Sequence, residues 1–376
     1  LPPLFGVPFR QSFLTGMTIL VAASPCALVL GTPATILTGI AQAARNGVLV
    51  KGGAHLENLG RLKAVAFDKT GTITRGRPEV TDVIVVEDGF TDLDVLRVAA
   101  AVESRSAHPL AQAVARGAQE RGLAIPEINT ANSVTGRGAN ATVHGAFVRV
   151  GNLNLFEDEG IPIRERLRGK LAALEDQGKT AILVSTGETI VGLIAVADVL
   201  RQDVTKNIAA LKRMGVDQLV MLTGDNPRTA GYIAQQAGLS EYLAGLMPED
   251  KVSAVKDLVR QHGYIAMVGD GVNDAPALAN ATVGIAMGGA ATDAALEAAD
   301  VALMADDLSK LSFAVGLGRA TGAIIRQNLF ISMGVILGLI VLTLAGLTGI
   351  GLAVFFHEGS TLLVALNALR LLRYQP

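Results

Sequence analysis

Three uncharged stretches constrain this chain more than any other feature. Between Arg10 and Arg45 lie 34 residues without a charge, and 28 more separate Asn328 from His357. From Gly359 to Leu369 the chain is again uncharged, so the last two stretches form 41 residues interrupted only by His357 and Glu358. A helix needs roughly 20 apolar residues to span a hydrocarbon core. At about 1.5 Å rise per residue, the last two stretches reach about 60 Å, enough for two spans joined by a tight turn. Gly346, Gly349 and Gly351 mark that turn. The expected spans are 11–44, 327–348 and 350–372. Buried core helices are the competing reading, but 28 uncharged residues far exceed a typical core helix.

The flanks orient the spans. Arg45, Lys51, Arg61 and Lys63 follow the first, Arg319 and Arg326 precede the second, and Arg370 and Arg373 close the third. Positive flanks stay cytoplasmic. The chain is thus expected to enter from outside, cross inward, carry a large cytoplasmic block, then go out and return. Membrane lipid is its expected surrounding, and a multi-pass cell-membrane location follows. Only 18% of residues are charged, against about 25% in soluble proteins. A net charge of −2 offers no basic excess for a nucleic-acid partner. Cys26 is the sole cysteine, so no disulfide can form within the chain. The chain opens at Leu1 with no Met and no charged n-region, which reads as a piece of a longer protein without a signal peptide.

The block from about 46 to 326 reads as α/β. Ala64–Phe67, Leu219–Leu222 and Tyr264–Val268 are short apolar runs, each ending in a cluster of Gly, Asp or Thr. Such runs predict buried parallel strands with functional loops at their carboxyl ends. From 78 to 190 the pattern changes to a helical stretch over Thr91–Gly122, then short alternating runs broken by glycines. This segment is expected to be a domain inserted into the first, which then comprises 46–77 and 191–318.

Four clusters carry chemistry. Asp68-Lys69-Thr70-Gly71-Thr72 follows a predicted strand, and a carboxylate there is a plausible nucleophile towards a phosphoryl group. Thr223-Gly224-Asp225, Lys251, and Gly269-Asp270-Gly271-Val272-Asn273-Asp274 complete the set. Hydroxyls and backbone amides can hold phosphoryl oxygens, a Lys can offset their charge, and a second carboxylate can hold Mg(II).

Each cluster alone could be an ordinary turn. All four in this order closely resemble P-type ATPases, whose phosphorylation domain has the haloacid-dehalogenase-like fold. The resemblance covers essentially the whole chain. It implies that Asp68 becomes an aspartyl phosphate, that Thr70 and Asp270 join Asp68 in binding Mg(II), and that Thr223 and Lys251 hold the phosphate. Asn273 and Asp274 support that site. Phosphatases of the fold usually carry a second Asp two residues after the nucleophile, where this chain has Thr70. Without that acid/base, hydrolysis of the acyl phosphate should be slow. Glu103, Ser106-Ala107-His108-Pro109, Gly136-Arg137-Gly138 and Gly151-Asn152 resemble the nucleotide-binding domain of heavy-metal P-type ATPases. There the Glu, the His, the two glycines and the Gly-Asn surround the adenosine of ATP.

Two further motifs are set aside. Thr186-Gly187-Glu188 spells the family's dephosphorylation motif but lies between two strand patterns, as a hairpin turn. Gly178-Lys179-Thr180 suggests a phosphate loop, but Ala173 stands where the glycine five residues earlier is required.

Within the first span, Ser24-Pro25-Cys26 breaks a helix and frees backbone carbonyls, which a membrane tolerates at packed sites or cavities. In the third, His357-Glu358-Gly359-Ser360-Thr361 places ionisable groups among apolar ones, where they are functional by default. The competing reading is a packing kink and a pair reaching for the interface. Ser24, Cys26, His357, Glu358 and Thr361 form a mixed donor set suited to a borderline divalent ion, whereas Cu(I) prefers several soft ligands. The set resembles the cobalt/zinc-type subclass, whose members export divalent metal. Transported Co(II) or Zn(II) is expected, with a Cd, Fe or Cu pump as the alternative. The resemblance also implies that earlier spans and an actuator domain are missing, so this chain should bind ATP but not pump alone. A soluble phosphatase of the same fold and a non-catalytic ATP-sensing membrane protein are the readings from other classes.

Overall fold

Pro25 imposes the first break in the chain. It lacks a backbone N–H, so it cannot donate the hydrogen bond that would tie it to the preceding turn. In the computed structural model, α1 (Phe9–Ala22) therefore stops at Ala23, and α2 (Cys26–Arg45) starts with the Pro25 carbonyl accepting from the Val29 amide at 2.9 Å. The structure describes residues 8–106, 108–128, 131–134, 137–270, 274–288 and 293–375.

Along the chain follow β1 (Val48–Val50), α3 (Gly53–Arg61), β2 (Ala64–Asp68) and β3 (Thr74–Val85). Next come α4 (Asp92–Glu103), α5 (Pro109–Glu120), β4 (Ala131–Val134), β5 (Gly138–Val143), β6 (Ala146–Gly151), α6 (Leu153–Asp158) and α7 (Glu165–Asp176). The hairpin β7 (Thr180–Thr186) and β8 (Thr189–Leu200) leads to α8 (Val204–Arg213), β9 (Gln218–Leu222), α9 (Pro227–Ala237), β10 (Glu241–Leu243) and α10 (Pro248–His262). The chain closes with β11 (Ile265–Gly269), α11 (Ala275–Asn280), β12 (Val283–Met287), α12 (Asp293–Ala298), β13 (Val301–Leu303), α13 (Ser309–Leu344) and α14 (Ile350–Leu369). Two compact units result: one holds the chain up to Val65, Ala210–Gln218 and Ala254 onward, the other Ala66–Ala209 and Leu219–Ser253.

The second unit contains a six-stranded antiparallel sheet in the order β3-β8-β7-β6-β5-β4. Alternation along β7 sends Ile182 and Val184 to a core with α4 and α5, and Leu183 to a second core with Leu167, Leu171 and Leu174 of α7. Both faces are covered, so β7 and β8 read as nearly continuous apolar runs. The turn between them is Gly187-Glu188, with Gly187 at φ +64°, which accounts for the Thr-Gly-Glu triplet as a hairpin tip. The helical stretch expected over Thr91–Gly122 is instead two helices. Pro109 occupies the first turn of α5 and His108 caps it, its Nδ1 accepting from the Leu110 amide at 3.2 Å.

In the first unit the strands run β1-β13-β12-β11, parallel except for β1. β11 and β12 are buried throughout. Three segments, Phe9–Arg45, Ser309–Leu344 and Ile350–Arg373, are long and apolar enough to cross a membrane. They leave Phe13, Leu20, Leu37, Phe330, Leu337, Phe355 and Leu362 exposed, a surface that water would not tolerate but lipid would. α13 begins 18 residues before the expected 327, because it packs against α3, at Gly318 among other residues, before the apolar run starts. The crossing is tight at Gly60 and Gly318: a Cβ on Gly60 would stand 2.6 Å from the Gly318 carbonyl carbon.

That crossing predicts an asymmetry. Gly60→Ala should destabilise the chain by about 1–3 kcal/mol through overpacking. Gly322→Ala, where an added Cβ meets nothing within 4 Å, should be neutral or slightly stabilising in the same thermal melt.

Candidate functional site

The second unit builds a charged centre at the carboxyl end of β2. All five residues of that strand are buried, and Asp68, its last, is only 5% exposed. An isolated carboxylate at such a position would be costly. It is held by Lys251, whose Nζ lies 2.5 Å from Asp68 Oδ1. Lys251 stands in the first turn of α10, which Asp250 steadies by accepting from the Met247 amide at 3.0 Å. Beyond Asp68 the chain turns through Gly71 at φ +71°, a conformation that glycine adopts without strain. Thr70 is exposed at the turn. Lys69 pairs with Asp225 at 2.8 Å. Thr223 is buried, and its hydroxyl accepts from the Asp225 amide at 3.1 Å, so Thr223-Gly224-Asp225 forms a folded loop at the end of β9. The unit thus brings Asp68, Lys69, Thr70, Thr223, Gly224 and Asp225 to strand ends and the loops after them, and Lys251 to the first turn of a helix.

Two residues that sequence reasoning missed brace this turn. Arg201 donates to the carbonyls of Gly71 at 2.6 Å and Thr72 at 3.0 Å. Asp198 accepts from the Thr74 hydroxyl at 2.5 Å, and burial raises its pKa above the usual carboxylate value. The only signal was an Asp-x-x-Arg spacing at the end of an apolar strand pattern.

Asp270 and Asp274 belong to the first unit, at the end of β11 and the start of α11. Their carboxylates lie within 4.8 Å of each other. Asp274 is buried, and the missing side chain of Gly269 leaves room for its Cβ at 2.9 Å from where a Cβ would stand. Hard oxygen donors of this kind suit Mg(II). Asn273 lies outside the described residues.

A separate cavity of about 510 Å³ opens in the second unit between α4, α5 and the strands β4–β7. Glu103, His108, Gly138, Gly151 and Asn152 all line it, together with Ser106. Gly136 lies outside the described residues. Gly151 has to be small, since a Cβ would stand 2.4 Å from the Arg137 carbonyl oxygen. Asn152 caps α6, accepting from the Leu155 amide at 3.2 Å. Burial pushes the Glu103 carboxyl up to about 7, so near neutrality it can donate as well as accept a hydrogen bond.

Among the helices, Ser24 Oγ and Cys26 Sγ lie 3.1 Å apart at the break before α2. His357 is buried and its Nδ1 has no hydrogen-bond partner among the described residues, while Thr361 lies one turn further along the same side. Glu358 is exposed, about 100° away around the helix, and does not share the buried side with His357. Gly31 packs on Val364, and the Gln42 amide donates to the Tyr374 carbonyl at 2.9 Å. The two contacts show α2 and α14 running in the same direction. About one and a half turns before the first contact, Cys26 and Gly359 therefore stand at matching depth. A polar chain missed in the sequence links the three helices: Asn328 donates to Thr35 at 3.2 Å and accepts from Asn367 at 2.8 Å.

Residues 62–282 match the model of the haloacid dehalogenase-like hydrolases. Across 99% of its length, the chain is 44% identical to a probable cadmium-transporting ATPase of Staphylococcus aureus, of which it covers 52%. It is 48% identical to a zinc/cadmium/lead-transporting P-type ATPase of Escherichia coli, covering 49% of that protein. A crystal structure of a zinc-transporting PIB-type ATPase in an E2.Pi state superposes with a TM-score of 0.90 at 47% identity, covering 99% of this chain and 60% of the other. The chain spans about half the length of the curated relatives it matches.

The Glu103 environment gives a pH prediction. Its folded pKa is about 7 against an ordinary 4.5, so the folded state holds the proton more tightly. Its unfavourable contribution is complete above pH 7 and is relieved as pH falls from 7 towards 4.5. Glu103→Gln should stabilise the chain at pH 8 by up to about 3 kcal/mol and flatten the dependence of the melting temperature between pH 5 and 8.

Proposed function

The chain belongs to the haloacid dehalogenase-like hydrolase family, and from that premise we propose that it is the phosphorylation, nucleotide-binding and part of the membrane machinery of a P-type ATPase that exports a divalent transition metal. The observation that carries the proposal is the buried Asp68 carboxylate held against Lys251 at 2.5 Å. A side-chain oxygen of Asp68 attacks the γ-phosphorus of ATP, the bond to the bridging oxygen breaks, and ADP leaves with the electron pair. Lys251 offsets the charge of the oxygens that arrive, and Thr223 supplies a hydroxyl beside them. Asp68, Thr70 and Asp270 would hold Mg(II), with Asn273 and Asp274 in support. When bound, that ion neutralises charge developing on the transferred group. Thr70, standing where phosphatases place an acid/base, leaves the aspartyl phosphate long-lived.

ATP is assigned to the cavity lined by Glu103, His108, Gly138, Gly151 and Asn152, with Gly136 completing the set, inside a nucleotide-binding domain spanning 78–190. The exported ion is assigned to Ser24, Cys26, His357 and Thr361. The His357 Nδ1, unbonded among the described residues, and the thiol of Cys26 favour a borderline ion such as Zn(II) or Co(II). Glu358 enters this set only if α14 rotates. Cadmium is the second reading, favoured by the thiol and by the relative named for cadmium transport. Outward direction rests on family resemblance, and the cytoplasmic side of the ATP-handling domains on the positive flanks of the spans.

Incubation with γ-labelled ATP and Mg(II) should label the chain with an acid-stable, hydroxylamine-labile phosphate. Asp68→Asn should abolish the label and Lys251→Ala should lower it at least tenfold; labelling of the Asp68→Asn chain would exclude this nucleophile. For the cargo site, Co(II) added to the chain in detergent should give a thiolate charge-transfer band in the near ultraviolet. Cys26→Ala should remove the band and His357→Ala should weaken Co(II) affinity at least tenfold. Unchanged spectra and affinity would place the ion elsewhere.

A further inference from the structure

The four clusters and the helix motifs leave one feature of the first unit unused. A cavity of about 630 Å³ lies beside the Gly60–Gly318 crossing of α3 and α13. Its described lining carries four cations, Arg61, Lys63, Arg319 and Arg326, against one carboxylate, Glu57. Two of the cations are committed: Arg61 pairs with Glu57 and donates to the Tyr264 hydroxyl at 3.1 Å, and Arg319 donates to the Met214 carbonyl. The side chains of Lys63 and Arg326 form no ion pair with any described residue, and both are exposed. Like charges gathered around one cavity repel, so an arrangement with two of them unpaired is stabilised by an anion.

Position decides which anion. Arg326 is the last charged residue of α13, and one turn later the helix exposes Leu329 and Phe330, the latter at 75%. Gln327–Leu344 is uncharged. The cavity therefore sits where charge gives way to apolar surface, the level at which headgroups meet the acyl region. An anchored phosphodiester can fill the cavity while its chains lie along Leu329 and Phe330; a soluble phosphate gains nothing from that apolar flank. We propose that this cavity is a binding site for the phosphate of an anionic phospholipid, held by Lys63 and Arg326 with Arg61 and Arg319 behind them. The proposal does not rest on the phosphoryl-transfer reading.

The test places the whole chain in phosphatidylcholine nanodiscs containing a minority of phosphatidylglycerol, releases it into mild detergent, and counts retained lipids by native mass spectrometry. Wild type should retain phosphatidylglycerol over phosphatidylcholine several-fold beyond their supplied ratio. The double variant Lys63→Gln, Arg326→Gln should cut that preference at least threefold, and Lys63→Arg, Arg326→Lys should keep it. Glu57→Gln, which releases Arg61 without removing a cation, should raise it, and this arm remains decisive if the double variant does not fold. Inorganic phosphate at 50 mM (about a hundredfold over lipid) should not displace the retained phosphatidylglycerol. Equal retention of the two lipids by wild type, an unchanged preference in the Gln pair or in Glu57→Gln, or displacement by inorganic phosphate would each overturn the lipid assignment, the last in favour of a soluble anion.

Discussion

The ion pair between Asp68 and Lys251 is the constraint around which the second unit is organised. A carboxylate buried to 5% exposure survives in its charged form only beside a cation. The cation comes from a helix 183 residues further along the chain, so the loop after β9 and the first turn of α10 must be placed to deliver it. Arg201 and Asp198 then fix the turn that follows Asp68, through contacts made 130 and 124 residues away. The result is a carboxylate fixed by contacts on both sides; on the proposed reading, this is the condition under which positioning and electrostatics can supply most of a phosphoryl-transfer barrier.

A second theme is how this chain uses glycine and proline where helices meet. Pro25 opens the break at which Ser24 and Cys26 meet, and Gly31 lets α14 come close enough for Val364 to pack on α2. Close approach of this kind is what membrane helices use in place of a hydrophobic driving force. The polar chain from Thr35 through Asn328 to Asn367 adds hydrogen bonds among the same three helices. Together these features set the depth of Cys26 against the His357 turn without any direct bond between them.

Much of this was legible in the residues. The loop after Asp68, the strand ends and the hairpin at Gly187 follow from local patterns: an apolar run, then a cluster of Gly, Asp and Thr. What was not legible depended on contacts remote in sequence. Beyond an Asp-x-x-Arg spacing, nothing near Asp198 or Arg201 announces the turn they brace. α13 extends well before the expected span because its first half packs on α3, and Arg319 and Arg326 disguised that continuity as a boundary. The helical stretch expected over Thr91–Gly122 divides because His108-Pro109 starts a new helix, and His108 also lines the cavity assigned to the nucleotide. Adjacent in sequence, His357 and Glu358 looked like one pair of ligands. A helix turns about 100° per residue and separates them.

The most direct test of the central claim is borohydride trapping of the chain after brief exposure to ATP and Mg(II), followed by peptide mass spectrometry. Reduction of an acyl phosphate converts its aspartate to homoserine. Homoserine at position 68, dependent on ATP, is the expected result. Aspartate intact at 68 with phosphate recovered on another residue would contradict it.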